Sequence, residues 1–96
     1  MLSLPAYNMD QSDEFLHTMN KLRKHDSQVY ERIKKKISEI LENPNHYKPL
    51  SNFLKNYNRV HIGHFVLVFR VIENEKVVKF VAYLHHDDAY KRSFNE

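Results

Sequence analysis

The side chains best suited to chemistry lie in one stretch near the end of the chain, between Arg59 and Tyr90. This stretch holds four of the seven histidines, and a histidine can accept or donate a proton near neutral pH because its ordinary pKa is about 6.5. It also holds arginines, which can bind a phosphate group through two parallel hydrogen bonds. The chain has no cysteine, so disulfides, thiolate nucleophiles and thiolate metal ligands are excluded. The residue types therefore favour acid–base chemistry.

The distribution of charge indicates what kind of partner this stretch suits. The formal net charge is only +3, but residues 43–72 contain no aspartate or glutamate. A basic segment without acids suits a polyanion, because each phosphate that it neutralises releases counterions; the alternative is an ordinary solvated surface. Its lysines and arginines are Lys48, Lys55, Arg59 and Arg70. For a second basic block upstream, Arg32 with residues 34–36, the solvated face of a helix is the preferred interpretation.

A metal centre is the other kind of site to weigh. His85, His86, Asp87 and Asp88 follow one another, and such residues can bind Zn²⁺ or, in the case of the aspartates, orient a histidine. A closed site needs more ligands than this run obviously supplies, and the helical motif HExxH is absent. We therefore expect no metal ion and no other cofactor.

The elements that position these residues begin with a hairpin around Gly63, the only glycine of the chain. The flanking sequence alternates like strands, and Gly63-His64 suits a two-residue loop because glycine tolerates the positive φ that such turns need. A loop of this length fixes the register. It places Ile62 opposite Phe65, Val60 opposite Leu67 and Asn58 opposite Phe69. A second turn at Asn74-Glu75 is predicted to return residues 76–85 beside the middle strand.

The alternation gives the predicted three-stranded meander two unlike faces. The apolar face comprises Val60, Ile62, Phe65, Leu67, Phe69, Val71, Val78, Phe80, Ala82 and Leu84. The opposite face comprises Arg59, His61, Val66, Val68, Arg70, Lys79, Val81, Tyr83 and His85. We expect any functional site on this second face.

The first half of the chain predicts a scaffold of one strand and two helices. Residues 2–9 read as an edge strand or an extended lead-in, and Ser12 is a candidate cap for a helix that runs to about Lys24. Residues 25–27 break the pattern, and a second amphipathic helix ends at Asn43-Pro44. Two helices with so short a break predict an antiparallel hairpin that packs on the sheet. The expected fold class is α+β, in one domain covering residues 1–96, with a loop at 43–57 and a short helical end.

Nothing in the sequence predicts a membrane protein. No apolar run approaches the length of a membrane helix, and residues 1–12 lack the basic-then-apolar pattern of a signal peptide. A cytoplasmic protein is the expectation.

Several of these segments together resemble the RelE/ParE toxin superfamily. They are ILENP at the end of the second helix, KPL after it, RVHIGHFVLVFRVI, and the terminal HHDDAY. The most specific parts are the R-V-x-I-G hairpin and the ending with His86 and Tyr90. The resemblance implies a small RelE-like fold of order β-α-α-β-β-β, with a helical hairpin packed on a mainly antiparallel four-stranded sheet. It also implies the toxin component of a type II toxin–antitoxin system.

The superfamily that the chain resembles includes two activities, and the fold alone does not tell which of them a member has. The RelE branch cleaves mRNA in the ribosomal A site, and the ParE branch inhibits DNA gyrase. Arg59 and His61 match the basic positions of RelE-type toxins, and Tyr90 matches the terminal aromatic residue. The arginine after the glycine falls at Val66 and the near-terminal arginine falls at Asp87, so both are missing.

The histidine-rich YafQ-like branch is more similar. It has a histidine where His61 stands, a hydrophobic residue where Val66 stands, and a His-x-Asp-x-aromatic ending that matches His86, Asp88 and Tyr90. One functional aspartate of that branch falls at or near His64, which is a departure.

The resemblance and the residue chemistry together suggest roles. His61 and His86 are expected to be the acid–base pair, Arg59 to stabilise charge on the phosphate, and Tyr90 to stack on a base or donate to phosphate. The supporting candidates are His64, Arg70, Lys79, His85, Asp87, Asp88 and Lys55.

The expected function is a ribosome-dependent mRNA endonuclease (mRNA interferase) that uses metal-independent acid–base chemistry. One alternative is a ParE-like gyrase inhibitor without catalytic activity, and another is a degenerate module that only binds antitoxin. The expected partners are a cognate antitoxin, mRNA, and the ribosome with its 16S rRNA. DNA is expected only indirectly, through the antitoxin complex, and no membrane is expected.

Overall fold

Helices and strands follow one another in the order that the sequence predicts. The computed structural model describes residues 6–50, 56–92 and 94. Its elements are β1 (Asn8–Gln11), α1 (Asp13–His25), α2 (Ser27–Glu42), β2 (Asn58–Ile62), β3 (Phe65–Ile72), β4 (Val77–His85) and α3 (His86–Lys91). The four strands form one sheet in the order β1-β4-β3-β2. Because β1 pairs in parallel and the other neighbours pair antiparallel, the sheet is mainly antiparallel and the predicted α+β fold is confirmed.

Two side chains set the helix ends. The Ser12 hydroxyl accepts a hydrogen bond from the Phe15 amide at 3.0 Å and donates one to the Val81 carbonyl at 2.6 Å, so it caps α1 and ties the helix to β4. The Asp26 carboxylate accepts from the Val29 amide at 3.3 Å and caps α2. The two caps confirm the predicted break. Residues 1–5, with the start of the predicted first strand, and residues 51–55 of the predicted loop lie outside the described residues.

The main core lies between the two long helices and one face of the sheet. Phe80 stands at its centre, with its ring centroid 5.8 Å from that of Phe15 and 5.9 Å from that of Phe69. The buried members of this core are Tyr7, Phe15, Met19, Ile33, Ile37, Ile40, Ile62, Leu67, Phe69, Val78 and Phe80. None of the helices in the described residues is long and apolar enough to cross a membrane.

The opposite face of the sheet holds a second apolar cluster, whereas the sequence predicted a largely polar face. The C-terminal segment covers this face: Ala89 of α3 is buried in it, and the ring of Phe94 lies 5.3 Å from that of Tyr57. Arg92 also forms two hydrogen bonds with the Glu14 carboxylate, one of 2.7 Å, and thereby fastens the segment to α1. The cluster comprises Leu50, Tyr57, Val66, Val68, Val81, Ala82, Ala89 and Phe94. This face is therefore mainly apolar where the C-terminal segment covers it.

A β-bulge in β4 changes which side chains share a face. Val68 pairs with Ala82 and Phe69 pairs with Phe80, so Val81 is the extra residue. Since side chains alternate with a period of two, one extra residue moves all that follow to opposite faces. The predicted faces of Ala82, Tyr83, Leu84 and His85 were therefore wrong. Ala82 and Leu84 join the second cluster, Tyr83 packs against the main core, and His85 contacts Phe65.

The turns between the strands match the prediction at Gly63 and differ at the second turn. Gly63 has φ +66°, and all three predicted pairs of the β2–β3 hairpin are observed. The second turn is a short 3-10 turn over Glu73–Glu75, followed by Lys76 with φ +54°. The last strand therefore begins at Val77.

The positive φ of Gly63 gives a stability prediction. Nothing lies within 4 Å of a Cβ added at this position, so the cost of Gly63→Ala is conformational. We expect Gly63→Ala to lower the free energy of unfolding by about 1–2 kcal/mol, and Gly63→Asn by less, because asparagine adopts the left-handed region more readily. Urea unfolding followed by circular dichroism measures both. Equal losses for the two variants would contradict a purely conformational cost.

Candidate functional site

The start of α3 brings the C-terminal histidines to the hairpin. The helix begins directly after β4, and the His86 amide donates a hydrogen bond to the His64 carbonyl at 3.0 Å. His86 and Tyr90, four residues apart in a helix, therefore lie on one face beside the end of β2. Arg59 and His61, two residues apart in a strand, also share a face. The structure thus gathers all four of the predicted catalytic residues.

These four residues contact one another as a continuous group, here called the histidine cluster (Arg59, His61, His86 and Tyr90). Arg59 Nε donates a hydrogen bond to the Tyr90 hydroxyl at 2.8 Å. The imidazoles of His61 and His86 are stacked, with centroids 5.4 Å apart and planes inclined by 29°. The His86 centroid lies 4.8 Å from that of Tyr90. Two side chains that can accept or donate a proton therefore lie beside a cation held by a hydrogen bond, on an accessible part of the surface.

The surroundings of His61 favour its neutral form. Partial removal of water by the packed neighbours, the positive charge of Arg59 and the nearby His86 all lower the pKa of His61 below its ordinary value of 6.5. The residue as a whole remains exposed. A histidine with a lowered pKa is more fully neutral at physiological pH, and a neutral imidazole can accept a proton.

The lowered pKa can be measured directly. We expect the His61 ring protons to titrate with a midpoint below pH 6.5 in a ¹H–¹³C NMR titration. Because Arg59 opposes the charged imidazole, Arg59→Gln should move the midpoint upward. Since the neutral form is favoured on folding, His61 contributes stability above its unfolded pKa and loses it as pH falls through the folded value. A midpoint at or above 6.5 in the wild type would contradict this electrostatic description.

Asp87 is a polar neighbour of the His86 ring. Asp87 Oδ1 lies 3.4 Å from His86 Nδ1, and the Asp87 amide donates to His85 Nδ1 at 3.3 Å. When Nδ1 of His86 carries a proton, Asp87 can accept it in a hydrogen bond and leave Nε2 for a reacting group. Asp88 is exposed, and its carbonyl accepts from the Arg92 amide at 3.1 Å. Among the supporting candidates, Asp87 therefore contacts the cluster through its side chain, and His64 contacts it through its carbonyl.

Two open clefts meet at His61. One, of about 400 Å³, is lined by Lys48, Arg59 and His61 among others, and we call it the Lys48 cleft. The other, of about 360 Å³, lies between the end of β2 and the basic face of α2, and we call it the Lys35 cleft. The groups of α2 that line it are Arg32, Lys35, Lys36 and Glu39. Cationic side chains thus flank the histidine cluster on both sides.

This basic block, which the sequence indicated as the solvated face of a helix, is largely exposed, and part of it also borders His61. Arg32, Lys35 and Lys36 recur at helical spacing on the side of α2 that faces His61. Lys34 points elsewhere, with its ammonium 5.3 Å from the centre of the Tyr30 ring. The spacing was visible in the sequence, but only the packing of α2 beside β2 shows which partner this side meets.

Other candidates lie away from the cluster or outside the description. The Arg70 guanidinium lies 5.8 Å from the Tyr57 ring, and Arg70 pairs with Lys79 across the strands. Arg70 is four residues along β3 from Val66, the partner of His61, which corresponds to roughly 13 Å. The structure therefore does not bring Arg70 or Lys79 to the histidine pair. Lys55 lies outside the described residues.

The two positions at which RelE-type toxins carry arginines offer no cation here. Val66 is fully buried in the second apolar cluster, and Asp87 is an acid beside His86. Within residues 6–50, 56–92 and 94, no three histidine, aspartate or glutamate side chains are grouped so that they could hold a metal ion. Of the supporting candidates, His64 contributes its carbonyl to the contact with α3, and His85 lies edge-on against Phe65.

Comparison with known sequences identifies the family. The family model described as the ParE toxin of the type II toxin–antitoxin system, parDE, matches residues 10–90. A protein of Methanocaldococcus jannaschii that carries the toxin name RelE4 is 49% identical over 75 residues, which cover 77% of this chain and 80% of that protein.

Solved structures agree with the sequence matches. The YoeB/ParE toxin from Agrobacterium tumefaciens has a TM-score of 0.73 at 14% identity, covering 82% of this chain and 98% of that one. The toxin of the intact E. coli RelBE toxin–antitoxin complex has a TM-score of 0.69 at 27% identity, covering 83% of this chain and 96% of that one. The chain therefore belongs to the RelE/ParE family, the toxins of type II toxin–antitoxin systems.

Proposed function

We propose that this toxin is an endoribonuclease that cuts mRNA in the ribosomal A site by acid–base chemistry at the histidine cluster. The observation that carries the proposal is the stacking of the His61 and His86 rings, 5.4 Å apart, beside an arginine held by Tyr90. Two histidines and an arginine are a sufficient set for cleaving RNA without a metal ion. The proposal assigns the chain to the histidine-rich, YafQ-like type of mRNA interferase.

The chemistry follows from the position of each group. His61, whose lowered pKa keeps it neutral, takes the proton of the ribose 2′-hydroxyl. The 2′-oxygen then attacks the phosphorus, and the bond from phosphorus to the 5′-oxygen breaks. His86 donates a proton to that leaving oxygen, while Arg59 stabilises the charge on the phosphorane-like transition state. The products are a 2′,3′-cyclic phosphate and a 5′-hydroxyl, so atoms and protons balance.

The charge around the cluster suits an RNA strand that crosses the edge of β2. Lys48 lies in the cleft on one side of His61, and Lys35 and Lys36 lie in the cleft on the other. Contacts from these cations to phosphates strengthen binding without reading the sequence. We therefore place mRNA and the 16S rRNA of the ribosome on this surface, and the toxin in the cytoplasm, where translation takes place.

We also propose that a cognate antitoxin binds the chain. The E. coli relative has been solved in an intact complex with its antitoxin. A toxin whose histidine cluster is accessible to RNA needs such a partner to control its activity. Contact of the toxin with DNA is proposed only indirectly, through that complex.

One observation favours a second candidate, a ParE-like inhibitor of DNA gyrase without chemistry of its own. Val66 and Asp87 replace the two arginines of RelE-type toxins, and the burial of Val66 leaves no room for a cation there. A protein that only binds gyrase would not need either charge. The family match includes ParE toxins and does not separate the two activities.

Purified toxin added to translating ribosomes separates the candidates. The nuclease proposal predicts mRNA cuts in phase with the A-site codon in a primer-extension (toeprint) assay. A parallel assay of gyrase supercoiling should show no inhibition at the same toxin concentration. Intact mRNA together with arrested supercoiling would instead establish the gyrase inhibitor. If well-folded toxin affects neither reaction, the chain is a degenerate antitoxin-binding module.

A further inference from the structure

We propose that Phe65, Tyr83 and Arg32 form a binding site for one unstacked RNA base beside the histidine cluster. The supporting arrangement is an exposed aromatic stack on the wall of a cleft that shares Arg32, Ile62 and Gly63 with the Lys35 cleft. The inference rests on the proposed function, because the base belongs to the RNA that the cluster cuts or to the ribosomal RNA around it.

The exposure of Phe65 is the first observation. Its place at the start of β3, opposite Ile62, predicts a core residue, yet 39% of Phe65 is accessible to solvent. The other phenylalanines in the described part of the chain are buried. Phe65 lines an open cleft of about 410 Å³ together with Leu22 of α1 and Val29 of α2, so the two helices do not cover its ring. We call this the Phe65 cleft.

The aromatic geometry is the second observation. The Phe65 ring stacks on the Tyr83 ring with centroids 5.0 Å apart and planes inclined by 17°. The His85 ring meets Phe65 edge-on, with centroids 5.6 Å apart and planes inclined by 80°. Phe65 is thus held in a fixed orientation by two neighbours. A rigid ring in a partly open cleft is a stacking platform, and stacking accepts any base because every base has a π-face.

The β-bulge in β4 creates this platform. Without the extra residue Val81, Tyr83 would point to the opposite face of the sheet and could not stack on Phe65. The bulge therefore moves an aromatic residue to the same side as the Phe65 cleft. Bulges next to active sites commonly redirect a side chain in this way.

The polar groups of the cleft suit the edge of a base. The cleft is mainly apolar, but Arg32, Asp26 and Thr18 also line it. A guanidinium donates hydrogen bonds, a carboxylate accepts them and a hydroxyl does both, so together they can meet the donors and acceptors of a base. A purely apolar side chain of a protein partner would leave these groups unsatisfied on burial. These polar groups therefore favour an RNA base, rather than an apolar side chain of a protein partner, as the occupant of the cleft.

The position of Arg32 connects the site with the proposed cleavage site. Arg32 lines both the Phe65 cleft and the Lys35 cleft, and His61 borders the latter. An RNA strand with its scissile phosphate at His61 can pass Arg32 and turn the base of a neighbouring nucleotide onto Phe65. The shared chemistry is an unstacked base, and its source is the mRNA codon or the ribosomal RNA.

The test measures mRNA cleavage on programmed ribosomes as a function of toxin concentration, under single-turnover conditions. We expect Phe65→Leu to raise the concentration for half-maximal cleavage by about 5- to 150-fold, the loss expected for one base–aromatic contact. The rate at saturating toxin should change much less. Phe65→Trp, which keeps an aromatic face, should retain cleavage near the wild-type concentration. Leu16→Ala is the matched control, because Leu16 is 42% exposed and lies on the far side of α1.

The source of the base follows from mRNAs with one abasic nucleotide in or next to the A-site codon. If the base comes from mRNA, one abasic position should weaken cleavage by the wild type. The Phe65→Leu variant should cut that abasic mRNA no more weakly than it cuts intact mRNA. If every abasic mRNA is cut like the intact one while Phe65→Leu remains impaired, the base is ribosomal, which also supports the site.

Two other outcomes overturn the proposal and differ from each other. If the wild type cuts but Phe65→Leu matches it in concentration dependence and codon pattern, the base site is wrong and the proposed nuclease stands. The Phe65 cleft is then left to a protein partner. If the folded wild type does not cut programmed ribosomes at all, the proposed function fails and the base site fails with it. Circular dichroism and thermal unfolding of each variant confirm its folding.

Discussion

His86→Ala is expected to reduce cleavage of ribosome-bound mRNA by about 10²–10⁴-fold, the usual contribution of a positioned general acid or base. The imidazole of His86 stacks on His61 and is the group that we assign to protonate the leaving 5′-oxygen. His61→Ala should cause a loss of similar size. Because the two residues act in one reaction step, the double variant should be little worse than either single one.

His17→Ala is the matched control for these variants. His17 is exposed on α1 and lies outside the histidine cluster, so its replacement should leave the cleavage rate unchanged. The rates are measured with toxin in excess over programmed ribosomes, so that differences in binding do not hide differences in chemistry. Cleavage by His86→Ala within a few-fold of the wild type would remove His86 from the mechanism.

Arg59→Ala is expected to produce the second large effect, a loss of about 10²–10³-fold in cleavage rate, as for removal of one preorganised charge-stabilising donor. Arg59 is the cation fixed within the cluster, through its 2.8 Å hydrogen bond to the Tyr90 hydroxyl. Arg59→Lys should recover only part of the rate, because an ammonium cannot form the two parallel hydrogen bonds of a guanidinium. Tyr90→Phe, which removes only the accepting hydroxyl, should cost less than Arg59→Ala.

Arg23→Ala provides the control for the loss of a positive charge. Arg23 lies in the last turn of α1, outside both clefts beside His61, so its loss should not affect cleavage. If Arg59→Ala lowers the rate no more than Arg23→Ala does, the catalytic charge must come from another group, and the cations of α2 become the next candidates.

Local chemistry made much of the fold predictable. Ser12 and Asp26 cap the two helices through contacts with residues three positions ahead, and Gly63 fixes a hairpin register through its own φ. Signals of this kind depend on neighbours in sequence and can be read without the structure. The bulge at Val81 has no such signal, since neither glycine nor proline marks it. Its carbonyl accepts from Ser12, a contact between residues far apart in the chain.

The histidine cluster was only partly predictable for the same reason. Arg59 and His61 follow from strand alternation, which places them on one face. Their meeting with His86 depends on how α3 docks on the hairpin, and the strand pattern does not contain that contact; the family resemblance supplied it. The approach of Lys35 and Lys36 to His61 likewise depends on the packing of α2 against the sheet. Membership of the toxin family is shown, whereas the reaction stays a prediction.

The two RNA ends at the cut distinguish the proposed chemistry from other ways of breaking the chain. mRNA recovered from programmed ribosomes after exposure to the toxin can be analysed for its terminal groups by mass spectrometry and by ligation that requires a defined end. Attack by the 2′-hydroxyl, with His61 as base and His86 as acid, predicts a 2′,3′-cyclic phosphate upstream and a 5′-hydroxyl downstream, both absent with His86→Ala. A 5′-phosphate and a free 3′-hydroxyl at A-site cuts would contradict the acid–base mechanism at the histidine cluster.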